Sequence, residues 1–431
     1  MQIKKHVPKP IKRIIAPVYR CSIGQWKKRR LFLRMKKKHQ ALLTQIKGKE
    51  RIRVVFLAIH KSVWKVDPVF QKMLADPFFD PIILVCPYTM YGEERMWEDM
   101  RECLKYFNEK GYPTYSSYLA EEQRWTKLDE LQPDIIFFTN PHNLTRKEYY
   151  QDAYLNYLTC YAGYGINIAN YDGNQGQYNQ NFHNALWKIF VQTSEMYQGY
   201  SKKSQRGESG LHLILDCIVE QILGVKNEKS VWKNHVTHKK IIFAPHHTIN
   251  KNFSLQLSNF LEYAEFIKDM VLETKDFVTW SFKPHPILKS KLYDHTDWGR
   301  ERTDNYYRFW VDQGNAQLDT GEYINLFTQS DGMIHDSATF LAEYIFTNKP
   351  VLYLMNKNTK KNLNIFGLIC LDAVLQAWDV NGINTFVANI VNNVDEKKQD
   401  RNKFIKKYFD DITHTKNYAD VSSIIMSSIK G

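Results

Sequence analysis

Residues 330–354 have the sequence SDGMIHDSATFLAEYIFTNKPVLYL, in which two short apolar runs flank a helix-forming segment. Residues 332–335 and 350–354 are typical of buried strands, and residues 338–347 are typical of the helix between them. Fully apolar strands that are separated by helices indicate a parallel sheet with both faces covered. This segment therefore predicts an α/β fold.

The same alternation continues toward the N-terminus. Upstream of residue 330 we predict strands at 240–244 and 277–282 and helices at 256–273 and 321–329. A polar loop is predicted after the second of these strands, up to about residue 304. Earlier still we predict strands at 53–59 (RVVFLAI), 81–86 (PIILVC) and 134–139 (DIIFFT), and helices at 93–110 and 207–224. The polar segment 226–240 predicts a linker between two α/β halves.

A chain of 431 residues is long enough for two or three domains that each bury a core. We predict a basic extension at residues 1–50, an N-terminal domain at 51–230 and a C-terminal domain at 231–431. Ligands bind at the carboxyl ends of the strands in such sheets, and a ligand-binding cleft is expected between the two domains.

The positive charge is concentrated at the N-terminus. The net charge is +13, but residues 1–50 contain sixteen Lys or Arg and one acidic residue, so the rest of the chain is almost neutral. No uninterrupted apolar stretch of a signal peptide or a membrane span is present. We predict that residues 1–50 rest on an anionic membrane surface, because Trp26, Leu31 and Leu33 lie within the basic run. A solvated extension and a nucleic-acid arm are the alternatives.

Polar side chains follow the ends of four predicted strands. They are His60 and Lys61; His246, His247 and Thr248; Lys283 and His285; and Asp336, Ser337 and Thr339. The last group begins a helix, where unpaired backbone N–H groups and the helix dipole favour a phosphate. Glu343, one turn later, could accept hydrogen bonds from ribose hydroxyls. The alternative is that these residues only cap a helix or are buried structural histidines.

The histidines and Lys283 suit a diphosphate, because donors and cations offset the negative charge of such a leaving group. A zinc site is not expected, since the adjacent His246 and His247 cannot readily chelate one ion. A divalent cation such as Mg²⁺ could help to neutralise the diphosphate, although no ligand set is evident. The six cysteines are widely spaced and are expected to be buried thiols of a reducing compartment. Motifs of P-loops, dinucleotide-binding folds and hydrolase elbows are missing from the sequence.

Residues 330–354, together with FKPHP at 282–286 and FAPHHT at 243–248, resemble the CDP-glycerol glycerophosphotransferase family. This family includes teichoic acid primases and polymerases and related capsule enzymes of bacteria. The resemblance covers residues 240–355 and is weaker over 51–200. It implies a GT-B-like α/β fold, in which two Rossmann-like domains face each other across a cleft. The N-terminal domain would bind the acceptor and the C-terminal domain the nucleotide donor.

The resemblance also implies an activity. The enzyme would transfer glycerol phosphate, or a related polyol phosphate, from a CDP-activated donor to a glycan or lipid-linked acceptor at the cytoplasmic face of the membrane, and release CMP. The implied catalytic residues are His246 and His285, to which we add His60 by its position, and the implied donor-binding residues are His247, Lys283, Asp336, Ser337, Thr339 and Glu343.

One departure from the family concerns the general base. Teichoic acid polymerases carry a histidine in a W-H-G-T-P-like segment, and the comparable residues 161–169 (YAGYGINIA) contain none. His60 and Asp67 are substitutes by position. Two other functions stay open: a GT-B glycosyltransferase that uses a CMP-sugar or UDP-sugar, and a non-catalytic protein that binds a membrane or nucleic acid.

Overall fold

The computed structural model describes residues 9–90, 92–170, 175–225, 230–233, 238–250, 255–413 and 421–430. The chain forms two compact units. Unit 1 comprises the described residues of Met1–Tyr164, Asn174–Ile214 and Ser422–Gly431, and unit 2 comprises those of Gly165–Gly173 and Leu215–Val421. None of the described helices is long and apolar enough to cross a membrane.

Unit 1 is built on a parallel sheet of seven strands. Its strands are β1 (Ile52–Ala58), β2 (Phe79–Val85), β3 (Thr114–Ser116), β6 (Ile135–Phe138), β7 (Leu158–Ala162), β8 (Lys188–Val191) and β9 (Leu211–Leu213). A separate antiparallel hairpin consists of β4 (Tyr118–Leu119) and β5 (Arg124–Trp125). The strand order is β3-β2-β1-β6-β7-β8-β9. The helices that accompany them in sequence are α1 (Lys9–Ile46), α2 (Asp67–Ala75), α3 (Glu93–Glu109), α4 (Gln151–Asn156), α5 (Gln175–Tyr178), α6 (Asn181–Ala185) and α7 (Ser194–Lys203).

The central strand β1 shows why the predicted sheet forms. Val54, Val55, Phe56 and Leu57 are all buried, although alternate side chains point to opposite faces. Helices therefore cover both faces, as expected for a parallel sheet. Phe56 stacks on Phe137 of the neighbouring β6, with the ring centroids 4.6 Å apart.

Unit 2 contains a parallel sheet of six strands in the order β12-β11-β10-β13-β14-β15. These strands are β10 (Lys239–Ala244), β11 (Val278–Phe282), β12 (Ala316–Leu318), β13 (Gly332–His335), β14 (Val351–Leu354) and β15 (Leu375–Ala377). Its helices are α8 (Cys217–Gly224), α9 (Phe260–Glu273), α10 (Leu288–Tyr293), α11 (Gly299–Asp312), α12 (Ile324–Gln329), α13 (Ala338–Tyr344), α14 (Thr359–Asn362), α15 (Ile365–Asp372), α16 (Val380–Val391) and α17 (Lys398–Thr413). The last helix, α18 (Val421–Lys430), belongs to unit 1 from Ser422 onward, and Lys72 of unit 1 donates a hydrogen bond to Ser423.

Two predicted elements differ from the structure. The helix predicted at 207–224 is β9 followed by α8, because the carboxylate of Asp216 accepts the N–H groups of Ile218 and Val219 and thus starts the helix at Cys217. The polar loop predicted up to residue 304 contains α10 and the start of α11. Its apolar side chains are too sparse to show helical periodicity, yet Leu288 and Leu292 are fully buried. The five cysteines whose side chains are described, Cys86, Cys103, Cys160, Cys217 and Cys370, are buried and form no disulfide bond with one another.

Most of the predicted basic extension is a helix of unit 1. The C-terminal half of α1 packs against α6 and β7, and Phe32, Met35 and His39 are buried there. Lys38 donates a hydrogen bond to the carbonyl oxygen of Leu155 at 2.8 Å. Residues 1–8 lie outside the described part of the chain. The domain boundaries therefore differ from those predicted: the basic segment is partly integrated in unit 1, and the last residues of the chain return to unit 1.

Candidate functional site

The site in unit 2 lies at the carboxyl ends of three neighbouring strands. Strand β10 pairs with β11 on one side and with β13 on the other. The segments that follow these strands carry His246 and His247, His285, and Asp336. The parallel register therefore brings together three of the four predicted motifs at one edge of the sheet.

The imidazole rings of three histidines form one cluster, which we call the histidine cluster. The ring centroids of His246 and His247 are 4.3 Å apart, those of His247 and His285 are 4.1 Å apart, and those of His246 and His285 are 5.2 Å apart. His246 is buried and the other two are partly exposed. The cluster thus borders solvent and can receive a ligand.

A hydrogen bond to Nδ1 sets the tautomer of each ring. The Nδ1 atom of His247 accepts from Lys291 Nζ at 2.8 Å, and that of His285 accepts from the backbone N–H of Ile287 at 3.3 Å. The Nδ1 atom of His246 lies 2.9 Å from the hydroxyl oxygen of Thr248. That oxygen already accepts two backbone N–H groups, so its proton is left for His246. In their neutral forms, all three rings therefore carry their proton on Nε2.

The rings are neutral at ordinary pH. Burial lowers the pKa of His246 and of His285 well below the usual value, and the neighbouring His247 lowers both further. Burial and the ammonium of Lys291 lower the pKa of His247 to about 3. The histidine cluster is thus a set of three neutral Nε2–H donors beside one lysine, which suits the oxygen atoms of an anionic ligand.

The adjacency of His246 and His247 does not keep the three rings from converging. One ligand atom from each of His246, His247 and His285 can be chosen so that all three lie within 4.8 Å of one another. Adjacent histidines therefore do converge here. However, a metal-bound Nε2 requires the proton on Nδ1. At His285 the partner of Nδ1 is a backbone N–H, which cannot accept that proton, so the hydrogen bonds favour an anion over a cation.

Asp336 holds the loops that carry the histidines. It is fully buried, and its carboxylate accepts the backbone N–H groups of His246 and Asn259. Burial raises its pKa to about 7, although these two hydrogen bonds act in the opposite direction. The carboxylate is directed at the protein backbone, so Asp336 acts as a positioning residue rather than as a phosphate ligand.

Ser337 precedes α13, and its hydroxyl makes no capping hydrogen bond. Its backbone N–H donates to Nδ1 of His335 at 3.2 Å. The side chain of His335 is fully buried, and its Nε2 atom has no hydrogen-bond partner within the described residues. His335 was not predicted as a site residue, although it stands directly before Asp336 at the end of a strand.

Lys283, Thr339 and Glu343 lie in a second group of residues, together with Tyr323 and Gly165. Lys283 Nζ donates to the carbonyl oxygen of Gly321 at 2.7 Å and lies 6.0 Å from the ring centroid of Tyr323. The Tyr323 hydroxyl donates to Glu343 at 2.7 Å. A Cβ atom on Gly165 would lie 3.0 Å from the methyl group of Thr339. Tyr323 and Gly165 were not predicted, because only tertiary packing brings them to this group.

The two candidate bases lie in unit 1, and their side chains already have partners. Nδ1 of His60 accepts the backbone N–H of Ser62 at 3.0 Å, and the Ser62 hydroxyl is 2.7 Å from the same atom. Nε2 of His60 is 3.7 Å from the buried carboxylate of Asp99, and burial lowers the pKa of His60. A substrate hydroxyl must therefore displace one partner of His60.

Asp67 fits the role of a base less well than His60. Its carboxylate accepts from Trp64 Nε1 at 2.7 Å, from Gln71 at 2.9 Å and from the Tyr112 hydroxyl at 3.1 Å. These hydrogen bonds hold the start of α2 against its neighbours. Both carboxylate oxygens of Asp67 therefore already accept hydrogen bonds within the protein.

No protein-family model and no curated protein matches this sequence. Several solved structures are similar to the fold. The alignment with the wall teichoic acid polymerase TagF covers 94% of this chain and 97% of the TagF chain at 13% identity, with a TM-score of 0.55. The complex of MnaA from S. aureus with UDP covers 88% and 96% at 13% identity, with a TM-score of 0.53. The UDP-GlcNAc 2-epimerase of Neisseria meningitidis, bound to UDP-GlcNAc, covers 88% and 99% at 10% identity, with a TM-score of 0.51. At these identities the likeness concerns the fold, which is an α/β fold of two Rossmann-like units of the GT-B type.

Proposed function

We propose that this chain is a GT-B transferase that moves glycerol phosphate, or a related polyol phosphate, from a CDP-activated donor to a glycan or lipid-linked acceptor. The observation that carries the proposal is the histidine cluster, with three neutral Nε2–H donors at the carboxyl edge of the unit 2 sheet. The sequence motifs that contain His246, His285 and Ser337 are those that resemble the CDP-glycerol glycerophosphotransferase family. The similarity in fold to a teichoic acid polymerase supports the same proposal.

The reaction needs few covalent roles from the protein. The acceptor hydroxyl attacks the β-phosphorus of the donor, a new P–O bond forms, and the bond to CMP breaks. Such phosphoryl transfers depend on positioning and on stabilisation of charge. His246, His247 and His285 would donate to the diphosphate oxygens, and the ammonium of Lys291 would offset part of the charge on the leaving CMP.

The remaining predicted residues have supporting roles in this proposal. The hydroxyl of Ser337 and the side chain of Thr339 would contact a phosphate, and Glu343 would contact the ribose. Lys283 would add positive charge nearby. His60 would act as the general base once the acceptor hydroxyl replaces the Ser62 hydroxyl at Nδ1. A divalent cation such as Mg²⁺ would bind through the donor's phosphates rather than through the histidines.

A membrane role is proposed for the exposed face of α1. Trp26 and Leu33 are 56% and 50% exposed. The guanidinium of Arg30 lies 4.7 Å from the ring of Trp26, and Arg34 is also exposed on this helix. Such a face can bind an anionic lipid surface on the cytoplasmic side, with about 1 kcal/mol from each Lys or Arg near the surface. Sedimentation with phosphatidylglycerol vesicles should decrease for Trp26→Ala, and vesicles of neutral lipid are the control.

A glycosyltransferase that uses a CMP-sugar or UDP-sugar is the second candidate. It is favoured by the two similar structures that contain UDP or UDP-GlcNAc. The two functions differ in their products, because only the phosphotransferase adds phosphorus to the acceptor. A non-catalytic binding protein is the third candidate, and it requires no intact histidine cluster.

Titration calorimetry with CMP, CDP, UMP and UDP tests the proposal. We expect the cytidine nucleotides to bind, and we expect His285→Ala and Ser337→Ala to weaken that binding. His295→Ala and Ser290→Ala are matched controls, because these side chains lie near α10 and outside the histidine cluster. Selective binding of uridine nucleotides would support the glycosyltransferase, and no binding of any nucleotide would contradict both enzymatic functions.

A further inference from the structure

Unit 1 contains a cavity of about 530 Å³ at the carboxyl edge of its own sheet. Thr89, which follows β2, and Arg146, which follows β6, line it, together with Trp97 of α3 and the hairpin residues Tyr118 and Trp125. Loops at this edge of a parallel sheet are where ligands usually bind. None of the residues that line the cavity belongs to the histidine cluster of unit 2.

Three aromatic rings form one wall of this cavity, which we call the aromatic pocket. The rings of Trp97 and Trp125 are nearly parallel, with centroids 5.7 Å apart and an angle of 12° between them. Tyr118 meets both edge-on, at 4.9 Å from Trp97 and 5.1 Å from Trp125. All three side chains are partly exposed, so the rings are accessible and are not a closed core.

Planar polar groups surround the rings. The guanidinium of Arg146 lies 4.7 Å from the ring of Trp125 and pairs with Glu148 at 2.8 Å. Its Nε atom is buried and has no hydrogen-bond partner within the described residues. Gln123 also lines the cavity and has a positive φ of 50°, a conformation that costs free energy for a residue other than glycine.

We propose that the aromatic pocket binds a sugar ring of the acceptor. The C–H bonds on one face of a pyranose are slightly positive and pack on the negative faces of aromatic rings. Arginine, glutamine and threonine side chains can then bind the hydroxyl groups at the edge of the same sugar. The orphan Nε of Arg146 is explained by a ligand that completes the pocket. The inference rests on the proposed function only in calling this sugar the acceptor.

Helix α3 contributes to the pocket and, from a different side, to the surroundings of the candidate base. Trp97 lines the pocket, and Asp99, two residues later, faces Nε2 of His60 at 3.7 Å. A saccharide held on the rings would therefore be bound by the same helix that positions His60. This arrangement places a hydroxyl-bearing substrate and a candidate base in one unit.

The test measures saccharide binding to the full-length protein without nucleotide, by saturation-transfer NMR and Trp fluorescence. The probes are neutral di- and trisaccharides of glucose, galactose, mannose and N-acetylglucosamine, with cytidine and adenosine as competing ligands. We expect at least one saccharide to bind at millimolar concentration. Trp97→Ala should weaken that binding roughly fivefold, from the loss of one aromatic contact. Trp378→Ala removes an exposed tryptophan of unit 2 and should change nothing.

Gln123→Gly is the second variant, because glycine adopts a positive φ without strain and the fold should be preserved. It should weaken saccharide binding roughly threefold, from the loss of one hydrogen bond. The inference is overturned if no saccharide binds, if both variants bind as the wild type does, or if nucleosides occupy the pocket instead. Failure of cytidine nucleotides to bind unit 2 would contradict the proposed function and leave this result unaffected.

Discussion

The buried carboxylate of Asp336 holds two loops of the site, and its replacement by alanine has a calculable effect. Asp336→Ala leaves the backbone N–H groups of His246 and Asn259 without their acceptor. A buried donor without a partner costs about 1–3 kcal/mol. Two such donors predict a loss of roughly 2–6 kcal/mol in the free energy of unfolding of unit 2. That is a large share of the stability of an ordinary domain.

Asp331→Ala is the matched control at the other end of the same strand. The Asp331 carboxylate accepts one backbone N–H, that of Lys240, but its side chain is 39% exposed. Water can replace it, so a loss below about 1 kcal/mol is expected. Asp336→Asn keeps one acceptor oxygen but turns an NH2 donor toward the other backbone N–H, so it should lose at least the roughly 1–3 kcal/mol of one unpaired buried donor. Urea unfolding, followed by Trp fluorescence and by circular dichroism, gives these values.

A free energy of unfolding of Asp336→Ala within about 1 kcal/mol of the wild-type value would contradict this role of Asp336, because even one unpaired buried donor should cost more. A larger effect of Asp331→Ala would contradict it as well. If Asp336→Ala does not fold, the free energy of unfolding of Asp336→Asn is compared with the wild-type value instead. In the folded variant, nucleotide affinity should fall as well, because His246 is no longer held in place.

Three further predictions concern protonation and packing. NMR of ¹⁵N-labelled protein should show the rings of His246, His247 and His285 as neutral Nε2–H tautomers between about pH 5 and 8, and an Nδ1–H tautomer at His285 would contradict the anion site. Burial lowers the pKa of His39 to about 4, and that of His183 and His335 to about 3, from 6.5. Below pH 6.5 the unfolded chain therefore binds more protons than the folded chain, so the free energy of unfolding should fall on acidification. Equal urea midpoints at pH 7.5 and pH 5 would refute this. Met35→Ala should cost unit 1 about 2–5 kcal/mol in unfolding experiments, whereas the exposed Leu33→Ala should be nearly neutral; equal effects would mean that α1 is not part of the fold.

Much of the unit 2 site could be predicted because its signals are local. Apolar runs predicted the strands, and His246, His285 and Ser337 follow within three residues of the ends of β10, β11 and β13. Parallel pairing of neighbouring strands then brings these ends together, so the juxtaposition follows from the α/β pattern. The roles of individual groups were harder to predict, as Asp336 shows: its type and position suited a phosphate ligand, but its carboxylate binds backbone N–H groups.

Longer-range features were beyond the sequence analysis. The aromatic pocket joins Trp97 with Trp125 and Arg146, which lie far apart in the chain and share no motif. The packing of α1 was missed for a similar reason, since its many basic residues hide the few buried positions, such as Phe32 and Met35. Gly165 lies beside Thr339 although the two residues are 174 positions apart in the chain.

The sequence by itself determined the α/β class, the two halves and the strand ends that carry the histidines, because hydrophobic periodicity acts over a few residues. Only the tertiary structure decided the tautomers of the histidine cluster. These depend on which donor reaches each Nδ1 atom, and Lys291 of α10 meets His247, which follows β10, only in the folded chain. The charge state of a buried imidazole depends on burial and on neighbours, and both are properties of the folded chain.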